Sequence, residues 1–212
     1  MKRVNLFCGH YGSGKTNIAV NFAFYLKKSG FDTAIADIDI VNPYFRTKDS
    51  EKELEKAGIE VISLPFANTS VDLPSLPSEV YSLVQNRKKH AVFDIGGDDR
   101  GAYALGRYAP YILEENDYDM FFVVNFYRPL TTTPEAALEV MREIETACGI
   151  PFTAIINNSN LGAETVPADI SATVRKAERL SELSSLPVAF TSAEKSIAPE
   201  GTFPLELQKK YF

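Results

Sequence analysis

The sequence predicts a three-layer α/β/α sandwich built on a mostly parallel central sheet of about seven strands. Three observations predict it. Strand-like and helix-like stretches alternate along the chain, which calls for right-handed crossovers between parallel strands. The strands are near-continuous apolar runs, such as Met120-Phe121-Phe122-Val123-Val124. A run of that kind is buried on both faces, as in a parallel sheet covered by helices. Finally, the first strand passes into the first helix through the glycine-rich stretch Gly9-His10-Tyr11-Gly12-Ser13-Gly14.

Taken in order, residues 3–8 read as a short buried strand through Val4-Asn5-Leu6-Phe7-Cys8. Residues 15–29 read as a helix, with Ile18, Val20, Phe22, Ala23 and Leu26 suited to packing on a sheet. Residues 33–40 form the second strand, 47–57 a helix and 59–64 the third strand. Pro65 to Pro77, rich in Pro, Ser and Asn, reads as a long connection. Then follow a helix at 78–88, a strand at 90–95, a helix at 100–114, a strand at 118–126, a helix at 133–148, a strand at 151–157, a helix at 167–184 and a strand at 187–191. Amphipathic packing accounts for the Tyr-rich stretch from Tyr103 to Tyr118. No repeat stands out, and the stretch from Glu194 lacks a clear pattern.

A chain of 212 residues reads as one domain, 1–212, able to bury a sizeable core. Its hydrophobic content of 45% and charged content of 24% are those of a soluble globular protein. The net charge of −6 argues against a nucleic-acid scaffold or an anionic membrane surface. Cys8 and Cys148 are the two cysteines, and neither belongs to a C-x-x-C pair. Buried thiols in a reducing cytoplasm are therefore expected. No signal peptide, transit peptide or membrane span is visible, and a cytoplasmic location is expected.

Gly9-His10-Tyr11-Gly12-Ser13-Gly14-Lys15-Thr16 fits G-x-x-x-x-G-K-[ST], the phosphate-binding loop of nucleoside triphosphatases. Glycines let backbone amides turn inward around phosphate oxygens, Lys15 would reach the β- and γ-phosphates, and the Thr16 hydroxyl would ligate Mg²⁺. The following helix, from Asn17 onward, brings the positive end of its dipole to the same anion site. The pattern predicts the P-loop NTPase fold.

Ligands in open parallel sheets collect at the carboxyl ends of strands. The second strand ends in Asp37-Ile38-Asp39 and the fourth in Asp94-Ile95-Gly96-Gly97. Asp94 stands where a Walker B acid would hold Mg²⁺, and Asp37 could share that work. Asp39, on the same strand face as Asp37, could orient or deprotonate an attacking water. Gly96 and Gly97 would let the backbone approach and sense a γ-phosphate. The sixth strand ends in Asn157-Asn158-Ser159-Asn160. GTPases carry N-K-x-D at this point, and Asn160 cannot offer the carboxylate that accepts from guanine. Asn157 keeps an amide able to donate and accept at an adenine edge, so ATP is expected over GTP.

On these residues the chain resembles the MinD/ParA group of the SIMIBI class of P-loop NTPases. It looks most like the small proteins with a CobQ/CobB/MinD/ParA nucleotide-binding domain. Within that group the loop reads K-G-G-x-G-K-[ST], and its signature lysine reaches across a dimer to the partner's nucleotide. Here His10 takes the lysine's place and Tyr11 replaces a glycine. The trans mechanism is therefore not carried over. His10 could substitute when protonated, or a dimer could use Arg46 or Arg100.

The resemblance implies an ATP- and Mg²⁺-dependent molecular switch with slow hydrolysis. It would be read by a protein partner, such as a metalloenzyme or a complex being assembled, with an ATP-dependent homodimer as one form. The alternative it leaves open is a dethiobiotin-synthetase-like enzyme, in which Arg100, Arg107 and Arg128 could hold an anionic small molecule. A third class is a nucleotide-binding subunit that does not hydrolyse.

Overall fold

The computed structural model describes residues 1–39, 50–63, 78–97 and 99–207, the side chains at 63, 99 and 100 excepted. Its strands are β1 (Val4–Cys8), β2 (Thr33–Asp37), β3 (Glu60–Ser63), β4 (His90–Asp94), β5 (Tyr118–Val124), β6 (Ala154–Asn157), β7 (Val188–Glu194) and β8 (Phe203–Leu205). They form one sheet in the order β3-β2-β4-β1-β5-β6-β7-β8, and every neighbouring pair is parallel. The helices are α1 (Lys15–Lys28), α2 (Glu51–Lys56), α3 (Ser78–Gln85), α4 (Asp99–Gly106), α5 (Ala109–Glu115), α6 (Pro134–Cys148) and α7 (Pro167–Ser184). The α/β sandwich read from the sequence is the one observed.

The pleat sends alternate residues to opposite faces, and two cores result. Phe7, Ile35, Val92, Val123 and Ile156 pack with Ile18, Ala19, Phe22, Ala23 and Leu26 of α1. On that face the Phe7 ring stacks on Phe121 and meets Phe22 edge-on, each at 5.2 Å between centroids. Val4, Leu6, Cys8, Ala36, Phe93 and Phe122 face the other way, toward α3 to α7. At the amino-terminal edge, the buried Arg3 pairs with Glu115 at the end of α5. Its guanidinium also donates to the Leu83 and Val84 carbonyls in the last turn of α3, where a cation suits the helix dipole.

Three elements depart from expectation. The sheet has eight strands rather than about seven, because β8 pairs alongside β7. Pro204 sits within this three-residue edge strand, a position where a missing N–H is tolerated. The helix expected at 100–114 is two helices, α4 and α5. Pro110 lacks a donor and would clash with the preceding turn, and it takes a place in the first turn of α5 instead. β2 stops at Asp37 rather than running on, since the Asp39 amide donates to Asp37 Oδ1 at 3.0 Å and turns the chain. The loop expected at Pro65–Pro77, residues 47–49 of the helix expected at 47–57, and Arg46 lie outside the described residues.

Candidate nucleotide site

β1 is flanked by β4 and β5. The chain leaves β1 through α1 on one face, while β4 connects onward through α4 and α5 on the other. A crevice at the carboxyl ends of strands opens at such a switch point, and the loop from Gly9 to Gly14 lies there.

Gly9 is buried so close to β5 that a methyl group on it would sit 2.2 Å from the Val123 carbonyl oxygen. Gly14 caps α1 in the left-handed region, at φ +86°, where glycine alone is unstrained. The Ser13 amide donates to the His10 carbonyl at 3.1 Å, closing the loop, and the first bond of α1 runs from Ile18 N to Gly14 O. The amides ahead of Ile18 at the start of α1 are those a helix cannot satisfy internally. No acidic side chain stands in its first turn.

Lys15 and Thr16 are buried at 6% and 7% exposure, and Lys15 Nζ lies 3.5 Å from the His10 carbonyl oxygen, curled over its own loop. Gly97 abuts the same amine: a methyl group placed there would lie 2.8 Å from Lys15 Nζ and 2.7 Å from Tyr11 N. The His10 ring leans on its own loop, with Nδ1 3.1 Å from Tyr11 O. Tyr11 is exposed, and Asn17 is half-buried on α1.

Asp37 and Asp94 are direct register partners on β2 and β4. Strand alternation puts both on the α1 face, where Ile35 and Val92 also point. Both are buried, Asp37 at 5% and Asp94 at 1% exposure. Asp39 is half-buried and lies over Gly96, where a methyl group would come within 3.1 Å of Asp39 Oδ1. Among the described residues no group of three or more His, Cys, Asp or Glu gathers around a point. A Mg²⁺ ion bound with a nucleotide needs only one or two carboxylates and a hydroxyl, the rest being phosphate and water. Thr16, Asp37 and Asp94 fit that set.

The asparagine turn divides in two. Asn157 is fully buried, and its amide donates to Thr173 Oγ1 of α7 at 3.0 Å while accepting from Ser159 Oγ at 2.7 Å. The amide expected at an adenine edge is thus bonded inside the protein. Asn158, one residue on, faces the loop and donates to the Ser13 carbonyl at 2.7 Å. Asn160 Nδ2 donates to Asn158 O at 2.8 Å. Three contributors were not visible in these roles in the sequence. Ser192 of β7 donates to Asn158 Oδ1 at 2.8 Å. Arg128, read as a holder of small anions, donates through Nε to the Gly12 carbonyl at 3.0 Å. Asn125 accepts from the Tyr127 amide at 3.0 Å and donates to Asn160 O at 3.1 Å, tying the loops after β5 and β6. Only tertiary contact reveals these roles. Arg107 is exposed near the end of α4, and the Arg100 side chain lies outside what is described.

Cys8, the last residue of β1, is buried and free, as is Cys148. Burial pushes the Cys8 thiol up to about 12, only partly offset by the Lys15 ammonium. It stays protonated beside the loop and offers neither a nucleophile nor a metal ligand.

Residues 9–166 match the CobQ/CobB/MinD/ParA nucleotide binding domain. The chain belongs to this family. Solved structures with the same fold include FtsY from Mycoplasma mycoides, at 15% identity and TM-score 0.59, covering 92% of this chain and 62% of that one. The signal recognition particle receptor FtsY from Elizabethkingia anophelis, in complex with GDP, matches at 15% identity and TM-score 0.60, covering 92% and 58%. The 54 kDa signal recognition particle protein from Aeropyrum pernix K1, also in complex with GDP, matches at 15% and TM-score 0.57, covering 89% and 40%. The chain thus spans less than two thirds of the length of these structures, and the likeness is one of fold. No curated protein matches the sequence. The CobQ/CobB/MinD/ParA domain found here is a SIMIBI-class P-loop NTPase nucleotide-binding domain. No described helix is long and apolar enough to cross a membrane.

Proposed function

We propose that this chain, acting as a single domain over 1–212, is a Mg²⁺-dependent ATP switch with slow hydrolysis, read by a protein partner during metalloenzyme maturation or complex assembly. One observation carries the reading. The backbone at Gly97 rests on Lys15 Nζ and Tyr11 N. Gly96 rests in turn on Gly101 in the first turn of α4, where a methyl group on Gly101 would come within 2.6 Å of the Gly96 Cα. A γ-phosphate drawing Lys15 out of its folded-over position would free the space beside Gly97, and α4 would feel the change through Gly96. Such contact between a phosphate site and a surface helix suits a switch. It favours this reading over a synthetase.

In this reading the loop amides from Gly9 to Thr16, Asn17 at the start of α1 and Gly97 surround the phosphates, and Lys15 neutralises charge that develops on them. Thr16, Asp37 and Asp94 would hold Mg²⁺, which supplies positive charge at the phosphates. Asp39, past the end of β2, would orient water. ATP is preferred because Asn160 offers no carboxylate to guanine, with Asn157 bracing the turn from inside. His10 and Tyr11 edge the loop where a homodimer partner would approach.

Calorimetric titration with MgATP, MgADP and MgGTP tests the reading. Lys15→Ala should abolish binding and leave the far-ultraviolet spectrum unchanged. Unaltered affinity would remove the assignment, and a preference for GTP would overturn the choice of base.

A further inference from the structure

Two consecutive carbonyls of the phosphate loop are held from outside by side chains of other elements. Gly12 O accepts from Arg128 Nε at 3.0 Å, and Ser13 O accepts from Asn158 Nδ2 at 2.7 Å. The Asn158 contact is direct and tight: a methyl group on Gly14 would lie 2.2 Å from that nitrogen. Asn158 is itself held. Ser192, 1% exposed on β7, donates to Asn158 Oδ1 at 2.8 Å. An amide has one accepting and one donating end. With Oδ1 engaged by a hydroxyl, Nδ2 is the end turned toward the loop.

We infer that Ser192, acting through Asn158, and Arg128 are positioning residues that preset the phosphate loop for a magnesium-bound polyphosphate. The peptide group is planar and trans, so its C=O and N–H point opposite ways. Holding Ser13 O outward turns the Gly14 amide inward. Holding Gly12 O fixes the neighbouring peptide, whose N–H closes the loop on the His10 carbonyl at 3.1 Å. The two clamps come from the loops after β5 and β6, with Ser192 of β7 behind the second, so elements beyond β1 set the geometry of a loop that none of them contributes. A loop already in its binding shape spends less interaction energy on ordering itself. Arg128 also brings a cation to the outside of the loop in a chain of net charge −6.

This inference rests on the reading that a nucleoside triphosphate occupies the loop, and MgATP titration of the unaltered chain separates the two. Absence of any binding there overturns both. Given binding, Ser192→Ala should weaken MgATP about tenfold and also lower the urea midpoint, because the buried Asn158 Oδ1 loses its donor, and Ser192→Thr should restore the affinity. If Ser192 works through Asn158, the double variant with Asn158→Ala binds no worse than Asn158→Ala alone. Arg128→Gln should also weaken binding about tenfold, and Arg128→Lys should not recover it, because an ammonium lacks the guanidinium's fixed Nε geometry. Unchanged affinity in Ser192→Ala, additive losses in the double variant, or full recovery by Arg128→Lys would each overturn the clamp. Should Asn158→Ala fail to fold, the Ser192→Ala and Ser192→Thr pair decides the matter.

Discussion

Asp37 and Asp94 stand side by side, register partners at the carboxyl ends of β2 and β4, both buried and both on the face that carries α1. Two carboxylates so placed form, with the Thr16 hydroxyl, an oxygen set of the kind that holds Mg²⁺ beside a nucleotide. Asp94→Asn should therefore weaken nucleotide binding at least tenfold in excess magnesium and far less in EDTA. Calorimetry under both conditions checks it. An equal loss in the two buffers would assign Asp94 to scaffolding.

Gly97 has no room for a side chain. A methyl group there would lie 2.7 Å from the Tyr11 amide nitrogen, which cannot retreat without moving the loop, and 2.8 Å from Lys15 Nζ at the end of its flexible side chain. Gly97→Ala should cost roughly 1–3 kcal/mol of stability, the range for forcing a methyl into packed space, and should impair nucleotide binding as well. Gly30→Ala is the control. It sits at φ +90° with open space around it, so it should cost about 1 kcal/mol from backbone strain alone and leave binding intact. Urea unfolding and MgATP titration of both variants make the comparison.

Tyr108 is fully buried at the break between α4 and α5, its ring 4.6 Å from Tyr81, and its hydroxyl has no hydrogen-bond partner among the described residues. Burial raises the pKa of that hydroxyl above its ordinary value. An unsatisfied buried hydroxyl costs about 1–3 kcal/mol. Tyr108→Phe keeps the ring and should raise stability by about 1 kcal/mol, seen as a higher urea midpoint at unchanged slope.

His90 begins β4 with its ring 4.1 Å from Phe31. Burial holds its pKa below the ordinary histidine value, with the Arg3 charge adding to the effect and Asp117 opposing it. The folded state therefore favours the neutral ring. Its contribution is present above the unfolded pKa of about 6.5 and is lost as pH falls through and below that value. His90→Phe should lose less melting temperature than the parent does when the pH is lowered from about 7.5 to about 5.5, a span that brackets that pKa. Identical slopes would show that His90 has no part in the acid response.

The loop, its flanking strand and helix, and the two acidic strand ends were legible in the sequence because each is local. Glycines at fixed spacing, an apolar run and a carboxylate after it define them without reference to anything distant. Asn157 and Asn158 show where that legibility stops. The pleat turns adjacent residues to opposite faces, so one amide meets Thr173 in α7 and the other meets Ser13. Nothing in the run Asn157-Asn158-Ser159-Asn160 says which goes where. Arg128 and Ser192 were obscure for the same reason, each acting on a group more than 30 residues away in sequence. β8 was hidden by its shortness and by Pro204, which normally argues against a strand. The division of α4 from α5 was readable in Pro110, given the cost of proline inside a helix.

The buried thiol at the end of β1 has a practical corollary. Cys8 can meet an alkylating reagent only when the strand behind the phosphate loop comes apart, and Cys148 is enclosed as well. Labelling by iodoacetamide thus becomes a clock for opening of the molecule, and its slowing when a nucleotide is added would report occupancy without any probe having to be installed.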